Sequence, residues 1–64
     1  MNQVLVMMLD PDGIPRAWGL APERGKALRE AEAQLVSYRK AKRKEGDPLA
    51  FADYKVKTET VEVG

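Results

Sequence analysis

A run of six apolar residues near the N-terminus, Val4 to Leu9, most constrains what this chain can fold into. The run is too short for a helix of ordinary length, and its valine content and the turn signal after it predict a strand over residues 3–9. Alternate residues of a strand point to opposite sides of the sheet. The two faces of this strand are Val4, Val6, Met8 and Leu5, Met7, Leu9. Both faces are apolar and need cover, whereas a single helix covers only one of them.

The following residues predict a returning strand and then a helix. Asp10-Pro11-Asp12-Gly13 is typical of a type I turn with a glycine bulge, so residues 14–19 return as a second strand. Pro22 suits the first position of a helix that ends near residue 44 or 45, before Gly46 and Pro48. The small and apolar residues that fall on one stripe of this helix are Ala27, Leu28, Ala31, Leu35, Tyr38 and Ala41.

The remaining residues predict a loop and a last strand. Leu49 and Phe51 are expected to pack against the core, and residues 54–63 favour a strand. Val56 has the opposite parity to Val61 on that strand, which requires either a bulge or partial cover of both faces. The predicted architecture is a single α+β domain over residues 1–64, with β-β-α-β order and one amphipathic helix on one face of a small antiparallel sheet.

The size of the chain predicts self-association. A domain of 64 residues buries only roughly 60% of the surface of its unfolded chain. Scaffolds under about 70 residues usually need disulfides, a structural metal or oligomerisation. The chain has no cysteine and no histidine, so it forms no disulfide and offers zinc neither a thiolate nor an imidazole. Self-association remains, and we predict a homodimer or a higher homo-oligomer.

The residue types present argue against catalysis, cofactors and membranes. Without histidine or cysteine, and with Ser37 in mid-helix lacking a base, the chain predicts no enzyme and no cofactor. Asp10 and Asp12 lack the glutamate that a calcium loop needs at position 21, and the Gly19–Gly25 spacing is one residue too long for a phosphate loop. The six-residue apolar run is far shorter than a signal peptide or a membrane span, which favours a cytoplasmic protein.

Trp18 lies on the returning strand and suits either the core or an interface, since tryptophan is enriched at interface hot spots. The sequence does not decide which face of the first strand meets the helix. The candidate interface residues are Val4, Val6, Met8 and Trp18.

Basic residues at the end of the helix are a candidate nucleic-acid site. These residues are Arg39, Lys40, Arg43 and Lys44. Such a group can displace counterions from phosphates, but the helix dipole also favours cations at this end. The charges are spread around the helix without an aromatic platform, and the net charge is only +1. A solvated helix end is the favoured interpretation, and RNA or DNA binding is the alternative function.

The segment from Leu20 to Pro48, LAPERGKALREAEAQLVSYRKAKRKEGDP, together with the Asp-Pro-Asp-Gly13 turn, resembles HicB-like antitoxin domains. The shared features are a Pro-Glu helix start, an Ala-rich stripe with an aromatic, and an exit with glycine and proline into a last strand. The resemblance implies a dsRBD-like sheet with one helix, and a small ribonuclease toxin as partner. The family usually has three strands before its helix where two fit here, and we expect a short form lacking its C-terminal DNA-binding segment.

Overall fold

The computed structural model describes residues 1–62 and contains, within them, a three-stranded antiparallel sheet with one long helix on one face. The elements in chain order are β1 (Asn2–Leu9), β2 (Pro15–Ala21), α1 (Arg24–Lys44), a 3₁₀ turn (Phe51–Asp53) and β3 (Lys55–Glu62). The strand order is β2-β1-β3, so β1 is the central strand. The predicted β-β-α-β order and α+β class are confirmed; the predicted last strand position, Val63, lies outside the described residues.

The turn between β1 and β2 forms where the Asp-Pro-Asp-Gly signal predicts it. The N–H of Gly13 donates to the carbonyl oxygen of Asp10 at 2.9 Å, and the N–H of Asp10 donates to the carbonyl oxygen of Ile14 at 3.0 Å. Gly13 has φ of +80°, a left-handed conformation that glycine adopts without steric cost. The strand register then shifts by one residue at Arg16, and Pro15 begins a strand at the sheet edge, as its missing donor requires.

The helix begins two residues later than predicted and ends as predicted. Glu23 is the N-cap, with extended φ and ψ of −117° and 141°, so Pro22 belongs to the connection and not to the first turn. At the other end, the N–H of Gly46 donates to the carbonyl of Arg43 and the N–H of Asp47 donates to that of Lys42. These two bonds, with φ of +88° at Gly46, make a complete Schellman motif, which stops the helix.

Small residues let α1 lie directly on the sheet, mainly over β2 and less over β1. On β2 the helix-facing positions are Ala17, Gly19 and Ala21. A Cβ atom added to Gly19 would overlap the carbonyl oxygen of Ala27, so helix and strand backbones are in contact there. The buried apolar core consists of Val6, Met8, Ala17, Ala21, Ala27, Ala31, Leu35 and Tyr54.

Most of the predicted helical stripe meets this core. Leu28 and Tyr38 pack at its margin, as do Leu49 and Phe51 from the loop after the helix. Ala41 is exposed, so the core does not cover the stripe along its whole length. The 21-residue helix has a length of about 32 Å, whereas the seven residues of β2 span only about 23 Å. The last turns of α1 therefore extend beyond the end of β2, and that strand does not cover their inner side.

The assignment of Val4, Val6 and Met8 to an interface face is wrong. Val6 and Met8 are 0% and 2% exposed and lie in the core beneath α1, and Val4 packs against that core. The reason is the register with β2, which pairs Val6 with Gly19 and thereby puts Val6 on the side where the helix approaches closely. The other set of β1 residues faces away from the helix.

Strand β3 pairs with β1 in an unbroken register, so the parity change along it does not come from a bulge. Val56 pairs with Met8 and lies on the helix side, whereas Val61 pairs with Gln3 and lies on the other side. Val56 is 47% exposed because α1 lies over β2 and β1 and leaves β3 largely uncovered. Of the two predicted explanations for the parity of Val56 and Val61, partial cover of both faces of β3 is therefore correct and a bulge is not.

Candidate protein-interaction surface

The side of the sheet away from α1 carries a cluster of large apolar side chains. We call this surface the open face; its apolar members are Leu5, Met7 and Leu9 from β1 and Trp18 and Leu20 from β2. The helix and the 3₁₀ turn both pack on the opposite side, so neither covers these residues. Trp18 is 51% exposed and Leu20 is 44% exposed, and the three β1 residues are half-buried between their neighbours.

The register explains why these side chains form one contiguous patch. Leu5 lies opposite Leu20, and Met7 lies opposite Trp18. Opposite residues in antiparallel strands have Cβ atoms about 4.5–5.5 Å apart, so each pair is in contact across the strands. The open face is therefore a continuous apolar surface over β1 and β2.

Along β3, on the far side of β1 from β2, the open face changes from apolar to charged. The β3 residues beside Leu5, Met7 and Leu9 are Glu59, Lys57 and Lys55. The Nζ atom of Lys57 lies 3.2 Å from a carboxylate oxygen of Glu59, so the two charges pair along the strand in solvent. An apolar centre with a polar margin is the usual composition of a protein interface.

Of the four predicted interface residues, only Trp18 lies on the open face. Leu5, Met7 and Leu9 belong to the other face of β1, which the sequence leaves as the alternative, and Leu20 is not among the predicted residues. The signal that could have found them is the alternation along β2, Ala17-Trp18-Gly19-Leu20-Ala21. A helix with an alanine stripe needs the small residues beneath it, so the large residues of β2, and the β1 residues opposite them, must lie on the far side.

Asp10 has a structural function in the β1–β2 turn. One carboxylate oxygen accepts hydrogen bonds from the N–H groups of Asp12 and Ile14, and the other accepts one from Nε of Arg16, all at 2.9 Å. The hydrogen bond from Ile14 and the bond from Arg16 lower the pKa of the Asp10 carboxyl below its usual range. The carboxylate thus stabilises the predicted turn. Within residues 1–62 no group of three acidic side chains is placed to hold a metal ion.

The basic end of α1 places three of its four candidate residues around one open cavity. Arg39, Lys40 and Arg43, with Val36, line a cavity of about 360 Å³, whereas Lys44 does not line it. The guanidinium carbon of Arg39 lies 5.9 Å from the ring centre of Phe51, a cation–π distance. The Nε atom of Arg39 is buried without a hydrogen-bond partner.

Lys42, in the middle of this basic segment, is already paired. Its Nζ atom lies 3.3 Å from a carboxylate oxygen of Glu45 and 5.7 Å from the ring centre of Tyr38. The hydrogen bond to Glu45 raises the pKa of the Lys42 ammonium. Three cations of this helix end therefore line one cavity, whereas Lys42 is held in a local pair with Glu45.

In the part of the chain that the structure describes, no helix has the length and apolar character needed to cross a bilayer. Comparisons of the chain with protein-family models, with curated proteins and with solved structures found no match.

Proposed function

We propose that this chain is a non-enzymatic protein-interaction module that works as a homo-oligomer assembled through the open face of its sheet. The observation that carries the proposal is the uncovered apolar surface that Trp18 and Leu20 share with three residues of β1. Contiguous exposed apolar patches of this kind are uncommon on small monomers and mark interaction sites.

The energetics favour a second copy of the same chain as the occupant. Fully burying a large apolar side chain contributes about 1.5–3 kcal/mol, so covering what remains exposed of five such residues contributes on the order of 3–5 kcal/mol per protomer. The whole stability expected of a 64-residue domain is about 3–10 kcal/mol. The two quantities are comparable, and a copy of the chain is the one partner that is always present at equal concentration.

The antitoxin function implied by the resemblance to HicB-like domains remains a second part of the proposal. The helix on one side of a small antiparallel sheet supports it. The two strands before α1, where that family usually has three, do not. A small ribonuclease toxin encoded next to this chain, with which it copurifies when the two are co-expressed, is the expected partner; a neighbouring gene product that does not bind would refute this part alone.

Thermal unfolding at several protein concentrations tests the homo-oligomer. If folding and assembly are coupled, a hundredfold rise in concentration stabilises a dimer by about 2.7 kcal/mol, or about 1.4 kcal/mol per protomer. For a domain of this size the melting temperature then rises by roughly 5–10 °C. A melting temperature that does not change with concentration, together with a monomer mass, would refute the proposal.

RNA or DNA binding remains the alternative function, and one observation favours it. Arg39, Lys40 and Arg43 line the same cavity, so three cations could meet one phosphate group. Against it, Lys44 lies outside the cavity lining and Lys42 is paired with Glu45. Strong salt dependence of any binding would accompany this function.

A further inference from the structure

The two edges of the sheet differ in how their backbone groups are bonded. At the β2 edge, the side-chain oxygen of Gln34 accepts a hydrogen bond from the N–H of Trp18 at 3.3 Å. A carboxylate oxygen of Glu30 accepts one from the N–H of Leu20 at 3.2 Å. Side chains of α1 thus close the β2 edge against pairing with another strand. In residues 2–62 no side chain makes such a bond to the outer edge of β3.

The N–H groups of Trp18 and Leu20, which bond to side chains of α1, show which backbone groups of the sheet point towards a neighbouring strand and which point away. Backbone groups of successive strand residues point alternately to the two sides, and opposite residues in antiparallel strands are alternately hydrogen-bonded and non-bonded pairs. The backbone N–H groups of Trp18 and Leu20 point away from β1, towards the helix side chains that accept their hydrogen bonds. The backbone groups of Gly19, between them, therefore point towards β1 and bond to Val6. The next β1 residue, Met7, then bonds to Lys57 on β3.

The outer edge of β3 follows from the same alternation. The backbone groups of Lys57 and Glu59 bond to β1. The N–H and C=O groups of the residues that alternate with them along β3 therefore point away from the sheet. The residues whose backbone groups point outward are Val56, Thr58 and Thr60. These residues form an unpaired strand edge with β-favouring side chains, which is a template for another strand.

The charges of β3 select one register for pairing with a copy of itself. With Thr58 opposite Thr58 of the second copy, Lys57 lies opposite Glu59 of that copy, and Glu59 lies opposite its Lys57. Shifting the register one step one way puts Glu59 opposite Glu59, with no opposite-charge pair. Shifting it the other way puts Lys57 opposite Lys57, with Lys55 and Glu59 of the two copies opposite each other. Opposite charges across strands stabilise a pair and like charges destabilise it. Each shifted register contains a like-charge pair that the Thr58-centred register does not, so the Thr58-centred register is favoured.

We propose that β3 pairs in antiparallel orientation with β3 of a second copy, centred on Thr58, to form one sheet that spans both copies. Val56 of each copy lies opposite Thr60 of the other, and the three outward pairs exchange about six backbone hydrogen bonds. The two-fold axis is perpendicular to the sheet, so both helices lie on one side and the open faces join on the other. The inference rests on the homo-oligomeric function proposed above but uses a different surface, the strand edge.

Charge reversal on β3 tests this register. The starting protein is the Trp18→Lys variant, in which the added charge prevents contact through the open face and leaves only the contact through the β3 edge. This variant is expected to sediment as a dimer. Adding Lys57→Glu replaces both attractive pairs by repulsive ones and weakens the dimer at least about tenfold. Adding Glu59→Lys as well restores opposite charges and returns the affinity to within about threefold of the starting value. The matched control is Lys55→Glu, which changes the same net charge on the same face of β3 but has Val61 as its partner in this register.

Hydrogen exchange of the wild-type chain gives a second, independent readout. The amides of Lys57 and Glu59 are protected by β1 in any case. Pairing of the edge also protects the amides of Val56, Thr58 and Thr60, whereas a free edge leaves these three exchanging at the rate of an open chain.

The outcomes separate this inference from the proposed function. A monomeric Trp18→Lys variant with a fast-exchanging β3 edge would overturn the edge pairing and leave the open face as the interface. A Trp18→Lys variant with the same mass as the wild type, and a response to charge reversal, would support edge pairing and overturn the open-face interface. Equal affinities for Lys57→Glu and for the double reversal would refute the Thr58-centred register.

Discussion

Replacing Gly19 by alanine tests whether α1 lies as closely on β2 as the structure places it. The added Cβ would overlap the carbonyl oxygen of Ala27 and lie 2.8 Å from the backbone nitrogen of Ala31, where ordinary van der Waals contact begins at 3.4 Å. The atoms it meets include helix backbone, so a flexible side chain cannot relieve the overlap and the helix must move. Overpacking of a core costs about 1–3 kcal/mol and occasionally more. Because lifting α1 also weakens the packing of both alanines, we expect a loss near the upper end, about 3 kcal/mol.

Such a loss is large for this chain and easily measured. At about 4–8 °C per kcal/mol for a domain of this size, the melting temperature of Gly19→Ala falls by roughly 12–24 °C at a fixed protein concentration. The matched control is Gly25→Ala, in the first turn of α1, where a Cβ meets nothing within 4 Å. This control is expected to stabilise the chain by about 0.5–1 kcal/mol, because alanine has less freedom to lose than glycine. Circular dichroism melts of both variants decide the matter, and a Gly19→Ala melting temperature within a few degrees of the wild type would refute the close approach.

Three further predictions follow from other parts of the structure. Because the pKa of Asp10 is lowered in the fold, its carboxylate stabilises the chain above about pH 4, the value for an unfolded aspartate, and this contribution is lost as the pH falls further. Melting temperatures from pH 6 to 2 should therefore fall less steeply for Asp10→Asn than for the wild type, and parallel curves would contradict the pKa shift. Val6→Glu should abolish folding, whereas Met7→Glu should keep the native circular dichroism spectrum at low temperature and high protein concentration, with a lower melting temperature. A Val6→Glu variant at least as stable as Met7→Glu would contradict the assignment of faces. Fluorescence anisotropy with labelled RNA and DNA should show only weak binding that salt abolishes, and a submicromolar complex weakened by Arg39→Ala with Arg43→Ala would favour nucleic-acid binding as the function.

The local signals in the sequence predicted the secondary structure well. The Asp-Pro-Asp-Gly turn and the Gly46 helix stop both form as predicted, since each depends on conformations that its own residues favour. The start of α1 was predicted two residues early, at Pro22. The helix begins at Arg24 although Glu23, its N-cap residue, makes no side-chain hydrogen bond, so the usual capping signal is missing there.

The long-range features were harder to predict because they depend on pairing between strands. Both faces of β1 are apolar, so its own sequence cannot say which face meets the helix, and the wrong one was chosen. The information was present on the neighbouring strand, where small residues such as Gly19 alternate with large ones such as Trp18. The protection of the β2 edge by Gln34 and Glu30 could not be predicted at all, since it requires the position of the helix relative to the strand.

Sedimentation equilibrium of two matched variants tests the open-face interface most directly. Trp18 and Val36 are exposed to similar extents, 51% and 56%, but Trp18 lies on the open face and Val36 on the outer side of α1. We predict that the wild-type chain and Val36→Lys form the same oligomer, and that Trp18→Lys has a smaller mass with an unchanged circular dichroism spectrum. An identical mass for all three proteins, or a wild-type chain that sediments as a folded monomer, would contradict assembly through the open face.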